Sequence, residues 1–153
     1  MAGVFDKLNL KGQREILVLN APQSFEAELA TLQGLSVARD AGAIDEIAFS
    51  LAFVITQAEL DAIAAIVAGK AKGDAVVWFA YPKGSSKRYR CEFNRDTGWA
   101  ELGKAGFEGV RQVAIDEDWS ALRFRRVEFI KTMRRAGERA MTAQGKARVT
   151  KGT

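Results

Sequence analysis

Pro82-Lys-Gly-Ser-Ser-Lys-Arg-Tyr-Arg90 gathers two hydroxyls, four cations and a glycine within nine residues. Such a run can hold an anion, with backbone N–H groups in a nest doing part of the binding. It is not a Walker A loop, because the leading glycine and the closing Gly-Lys-Ser/Thr order are missing. The alternative is a solvated loop whose cations answer Glu92, Asp96 and other surface acids. Asp116-Glu-Asp118 supplies three oxygen-bearing side chains, but neighbours in sequence point different ways and no calcium-loop spacing follows. A hairpin turn explains these acids better, with Trp119 packing across the sheet edge or over the core. Tyr81, Tyr89, Lys83 and Asp116 are the proton-transfer candidates, and each would need its pKa moved by burial or a neighbour to act near neutral pH. Histidine is absent, which removes Ser-His and Cys-His catalysis and the commonest zinc ligand. Cys91 is the single cysteine, so neither an internal disulfide nor a multi-cysteine metal site exists. Without a base partner it reads as a small residue at a strand or loop edge. No metal site and no cofactor are expected.

Alternating strands and helices must position these groups. Ile16-Leu-Val-Leu-Asn20 is an apolar run closed by Ala21-Pro22, and proline disfavours helix at the residue before it, so the run is a buried strand followed by a loop. Ser24 is an N-cap candidate for a helix over 25–33, with Phe25, Leu29 and Leu32 at helical spacing and Gly34 at the C-cap. Ser36 to Arg39 is a second strand, 40–46 a polar turn, and Phe49 to Ile55 a third strand. Thr56 with Glu59 has capping-box spacing, and Leu60, Ile63, Ala64 and Val67 give one apolar helix face before Gly69. Ala75 to Tyr81 is too apolar to face water on either side, which places it mid-sheet. Asp96 or Thr97 can cap a helix with Trp99 and Leu102 turned inward and Gly106 at its end. Val110 to Asp116 and Ala121 to Phe129 are joined too tightly for a crossover and should be antiparallel. Phe93, Trp99 and Phe107 suit core packing better than base stacking, and no basic-aromatic platform for single strands is evident.

The pattern predicts a three-layer Rossmann-like α/β domain over 8–130, with a mostly parallel six-stranded sheet ending in an antiparallel strand pair. Sheets of this kind bind ligands beyond the carboxyl ends of their strands, where strand order reverses. The loops at that edge bring in Asn20, Ser24, Asp40, Lys83, Ser85, Ser86, Lys87 and Arg88 as ligand-binding candidates, alongside Thr56. Capping is the competing explanation for Ser24 and Thr56.

Leu8-Asn-Leu-Lys-Gly-Gln-Arg-Glu-Ile-Leu-Val-Leu19 is similar to the lead-in and first strand of S-adenosylmethionine-dependent methyltransferases, as is the terminal antiparallel pair. That resemblance implies a strand order of 2-1-3-4-6-5. The family's glycine-rich turn is replaced by Asn20-Ala-Pro-Gln-Ser24, where a Cβ on each residue and a fixed proline φ are expected to prevent the same close approach to a cofactor. Asp40 lies about twenty residues on, where dinucleotide folds carry a ribose-binding acid. Leu19-Asn-Ala-Pro22, Trp78-Phe-Ala-Tyr-Pro-Lys83 and Ala114-Ile-Asp-Glu-Asp-Trp-Ser-Ala-Leu-Arg-Phe124 resemble an uncharacterised bacterial family of small Rossmann-like proteins, which implies a fold but no activity.

The chain has 153 residues, 48% hydrophobic and 27% charged, with a formal charge of +4. That size suits one domain, and no apolar stretch approaches the roughly 18 residues of a membrane span. Residues 131–153 carry seven basic side chains against Glu138 alone, so this segment is +6 and the body −2. It reads as a basic, flexible tail. Arg134, Arg135, Arg139, Lys146 and Arg148 are its candidate contacts to an acidic polymer or protein partner, including sequence-independent nucleic-acid binding. A body without basic surplus is unlike a dedicated nucleic-acid domain. Lone Cys91 and the lack of a signal segment before Leu8 fit the cytoplasm. The missing glycine loop and histidines together predict a non-catalytic binding or regulatory module, with no methyltransferase activity. The competing expectation is an enzyme or sensor that binds a nucleotide-like anionic small molecule at the carboxyl edge of the sheet.

Overall fold

A computed structural model describes residues 4–93 and 97–130. Its strands are β1 (Glu15–Leu19), β2 (Ser36–Ala38), β3 (Ile47–Phe53), β4 (Ala71–Pro82), β5 (Phe107–Ala114) and β6 (Trp119–Arg126). They form one sheet in the order β2-β1-β3-β4-β6-β5. The first four are mutually parallel, and β6 runs antiparallel to both β4 and β5. Both the predicted strand order and the terminal antiparallel pair are therefore present. Among the described residues four α-helices accompany the strands: α1 (Val4–Lys7), α2 (Glu26–Leu29), α3 (Gln57–Lys70) and α4 (Ala100–Lys104).

β4 is central because every residue from Ala75 to Pro82 is buried. Side chains alternate between the faces of a strand, so burying the whole run requires cover on both sides. One face packs Val77, Phe79 and Phe124 under α3 and α4, together with Trp99, Leu102 and Phe107. The other packs Val76, Trp78 and Ala121 with Val4, Phe5 and Leu8 of the N-terminal segment and with Phe25 and Leu29. The indole N–H of Trp78 donates to the Leu8 carbonyl at 2.7 Å, which satisfies a buried donor and ties the lead-in to the sheet.

The Thr56–Glu59 capping box forms in full, and α3 runs on through Gly69 to Lys70. Elsewhere local structure departs from expectation. The helix expected over 25–33 shrinks to a 3₁₀ turn, Gln23–Phe25, followed by the single turn of α2. Pro22 occupies the N-cap, so Ser24 lies inside the turn and makes no cap bond. Propagation stops because the Thr31 hydroxyl, at 2.7 Å, and the Thr31 N–H, at 3.2 Å, both take the Glu28 carbonyl. Trp99 rather than Thr97 stands at the N-cap of α4, with no side-chain cap bond, and Asp96 lies outside the described residues. Gly106, at φ +91°, ends that segment as expected. The third strand begins earlier than expected, at Ile47, and ends at Phe53. The tail 131–153, with its candidate contacts Arg134, Arg135, Arg139, Lys146 and Arg148, also lies outside the described residues.

Candidate functional site

Strand order reverses between β1 and β3, the two strands that diverge to β2 on one side and β4 on the other. A crevice at such a point opens at the carboxyl ends of the strands. Asn20 is the first residue beyond β1 and holds φ +58°, in the left-handed region. Asparagine is among the few residues with a Cβ that enter this region at modest cost. Its side-chain Nδ2 donates to the Phe53 carbonyl at the end of β3, at 3.3 Å. Asn20 thus spans the switch point and turns the chain sharply out of β1 without a glycine. The segment Asn20-Ala-Pro-Gln-Ser24 contains no glycine, and its left-handed step is taken by Asn20. Pro22 limits its own φ, but the left-handed step falls two residues earlier. Ser24 and Gln23 are exposed just beyond it.

On the neighbouring strand, Arg39 follows β2 and pairs with Glu26 at the start of α2 through two bonds, of 2.6 and 3.3 Å. This hydrogen bond, helped by the charge of Arg39, lowers the pKa of Glu26 from its ordinary value. The fork fixes the end of β2 to the element after the Asn20 loop. Asp40 is exposed next to it, and its Oδ1 accepts from Gly42 N at 3.0 Å. From there the chain turns back toward the amino edge, where Lys70 at the end of α3 donates to the carbonyls of Ala41 and Ile44 at 2.6 and 2.8 Å.

The cation-rich loop after β4 is organised around the hairpin acids rather than around an open cradle. The Ser86 hydroxyl donates to Asp118 at 2.9 Å and accepts from the backbone N–H groups of Arg88 and Tyr89. Arg88 lies 3.8 Å from the same carboxylate, and the Lys83 N–H donates to the Asp118 carbonyl. Lys83 is half-buried, while Ser85 and Lys87 are exposed at the loop tip. Asp116 accepts from the N–H groups of Asp118 and Trp119, a hairpin turn closed by its own side chain. Glu92 is drawn away from the cations, since its carboxylate takes the first free N–H of α3, that of Gln57, at 2.8 Å. The aromatic floor beneath this edge was not singled out by spacing: Phe25 packs on Phe53, Phe53 on Trp119, and Trp119 on Tyr89, with centroids 4.9–5.0 Å apart. Only the register that sets Trp119 opposite Pro82 brings these rings together.

Tyr81 is buried and its hydroxyl accepts from Gln112 at 2.7 Å. Burial, only partly offset by nearby backbone N–H groups, raises the Cys91 thiol above its ordinary pKa, the opposite of what a nucleophile needs. Among the described residues no group of three metal-ligating side chains gathers. No described helix is long and apolar enough to cross a membrane.

No protein-family model matches the chain, and no curated protein matches it in sequence. Solved structures do. A protein described for the conversion of a disulfide bond into a thioacetal group during echinomycin biosynthesis is 12% identical, with 80% of this chain and 79% of that chain covered and a TM-score of 0.50. N-methyltransferase NodS from Bradyrhizobium japonicum WM9 is 12% identical, over 80% of this chain and 92% of its own, at 0.49. The fibrillarin pre-rRNA processing protein of Methanococcus jannaschii is 12% identical, over 75% and 67%, at 0.48. The fold is Rossmann-like, a mixed and mostly parallel six-stranded sheet with a terminal antiparallel pair. The expectation of a non-catalytic binding or regulatory module is overturned by this likeness, in which 80% of the chain matches the fold of the protein described for the thioacetal conversion.

Proposed function

We propose that the chain binds the nucleoside portion of S-adenosylmethionine, or a close analogue, at the carboxyl ends of β1 and β3 and serves methyl transfer. The observation that carries this reading is Asn20, left-handed at φ +58° and bonded across the switch point to the Phe53 carbonyl. Doubly wound sheets receive ligands at this switch point, beyond the carboxyl ends of their strands. Asp40, exposed two residues past β2, is the acid suited to ribose hydroxyls, and Ser24 is a neighbouring hydroxyl. When bound, this cofactor supplies an electrophilic methyl carbon, whose transfer depends on alignment more than on proton relay. A chain without histidine fits that chemistry. This reading departs from the expectation that no cofactor is used. We also place the protein in the cytoplasm, on its lone cysteine, and among small bacterial proteins, on the resemblance of the Trp78–Lys83 and Ala114–Phe124 segments.

Isothermal titration with S-adenosylmethionine and S-adenosylhomocysteine tests the reading. Saturable binding is expected, weakened by Asp40→Ala and more by Asn20→Val. Folded protein that shows no saturable heat with either compound refutes it. Transfer of a labelled methyl group into small molecules from a host extract separates an enzyme from a sensor of the same ligand.

A further inference from the structure

β5 and β6 form an antiparallel ribbon in which Arg111 stands directly opposite Arg123. Residues paired in this way project from the same face with Cβ atoms about 5 Å apart, and like charges so placed repel. Arg125, two residues along β6, shares that face, but Asp74 already takes it through two bonds of 2.6 and 2.8 Å. Glu108 stands opposite Arg125. Arg111 is exposed, and Arg123 is partly buried, its Nε–H closed off from water and without an acceptor among the described residues. A buried charged donor without an acceptor loses its hydration with nothing in exchange. Burial first and then the charge of Arg125 push the Arg123 pKa down, Asp74 opposes them, and Arg111 adds a smaller push in the same downward direction. Trp78 lies opposite Arg123 on β4 and forms an apolar wall that strengthens electrostatics beside it.

We propose that Arg111 and Arg123 together hold a tetrahedral phosphate-class oxyanion on this face of the β5–β6 ribbon. An oxyanion between the two guanidinium groups relieves the facing cations. Guanidinium forks match the planar spacing of phosphate oxygens, which a lysine pair would not. The ribbon lies beyond β4 from the crevice at Asn20, so this site is separate from the proposed cofactor edge. Its phosphate can come from a free phosphate or from a phosphodiester.

Calorimetric titration of the full chain with inorganic phosphate, and in parallel with a short thymidine oligonucleotide, tests the site. Saturable binding is expected, weakened about tenfold or more by either Arg123→Gln or Arg111→Gln. Tighter binding of the oligonucleotide, with the same arginine dependence, assigns the site to a phosphodiester; tighter binding of phosphate assigns it to a free anion. Arg111→Gln is also expected to raise the melting temperature in phosphate-free buffer, because it removes the repulsion. Binding that both variants retain overturns the proposal. So does a phosphate effect that sodium chloride reproduces at equal ionic strength.

Discussion

Asn20 gives the sharpest test of how the switch point is built. Its φ of +58° costs most L residues about 1–2 kcal/mol, more when they are β-branched, and asparagine less than most. Its bond to the Phe53 carbonyl, 3.3 Å long and partly buried, contributes about 1 kcal/mol. Asn20→Val loses the bond and takes on the full backbone strain, so destabilisation of about 2–3 kcal/mol is expected. For a chain of this length that is a fall in melting temperature of roughly 5–9 °C. Asn20→Gly loses the same bond but relaxes the strain, against some extra chain entropy in the unfolded state, and should stay within about 1 kcal/mol of the parent. Asn20→Ala falls between them. Urea melts by circular dichroism give the order, and titration with S-adenosylmethionine on the same samples gives the functional half, in which the glycine variant keeps binding that the valine variant loses. If valine is tolerated as well as glycine, the left-handed turn is not what shapes this edge. The argument from Asn20 to the cofactor then fails with it.

Two further outcomes rest on other parts of the molecule. Gly98 sits at φ +96°, and a Cβ there would lie 2.6 Å from the Phe93 Cβ, whereas Gly73, at φ +55°, has open space around it. Gly98→Ala should therefore cost about 3 kcal/mol and Gly73→Ala only about 1, and equal losses in urea melts would show that the packing of Phe93 against this turn is misjudged. Burial raises the Cys91 pKa, so less of it is thiolate at a given pH and its alkylation should set in at higher pH than for the unfolded chain. Iodoacetamide labelling followed by mass spectrometry across pH checks this, and equal rates folded and unfolded would contradict it.

Much of the fold was legible because it rests on local signals. The unbroken apolar run around Trp78 demanded a central strand, and Thr56 with Glu59 marked the start of α3, since both depend on near neighbours in the chain. The tight Asp116–Asp118 connection likewise fixed an antiparallel pair, because a few residues cannot cross a sheet. The short helix after Pro22 was misjudged, since the competing Thr31 bonds to the Glu28 carbonyl leave no mark on apolar spacing. Candidate site residues were visible as types, but not in their engagements: Ser86 and Arg88 turn to Asp118, and Glu92 to the N-terminus of α3.

Composition and periodicity alone determined the layered α/β class, the absence of histidine and disulfide chemistry, and the division of charge between body and tail. Tertiary structure decided the left-handed turn at Asn20, the aromatic floor under Trp119 and the facing pair Arg111 and Arg123. Each of these depends on which residues of distant strands stand in register, and register is fixed only when the whole sheet closes on its core.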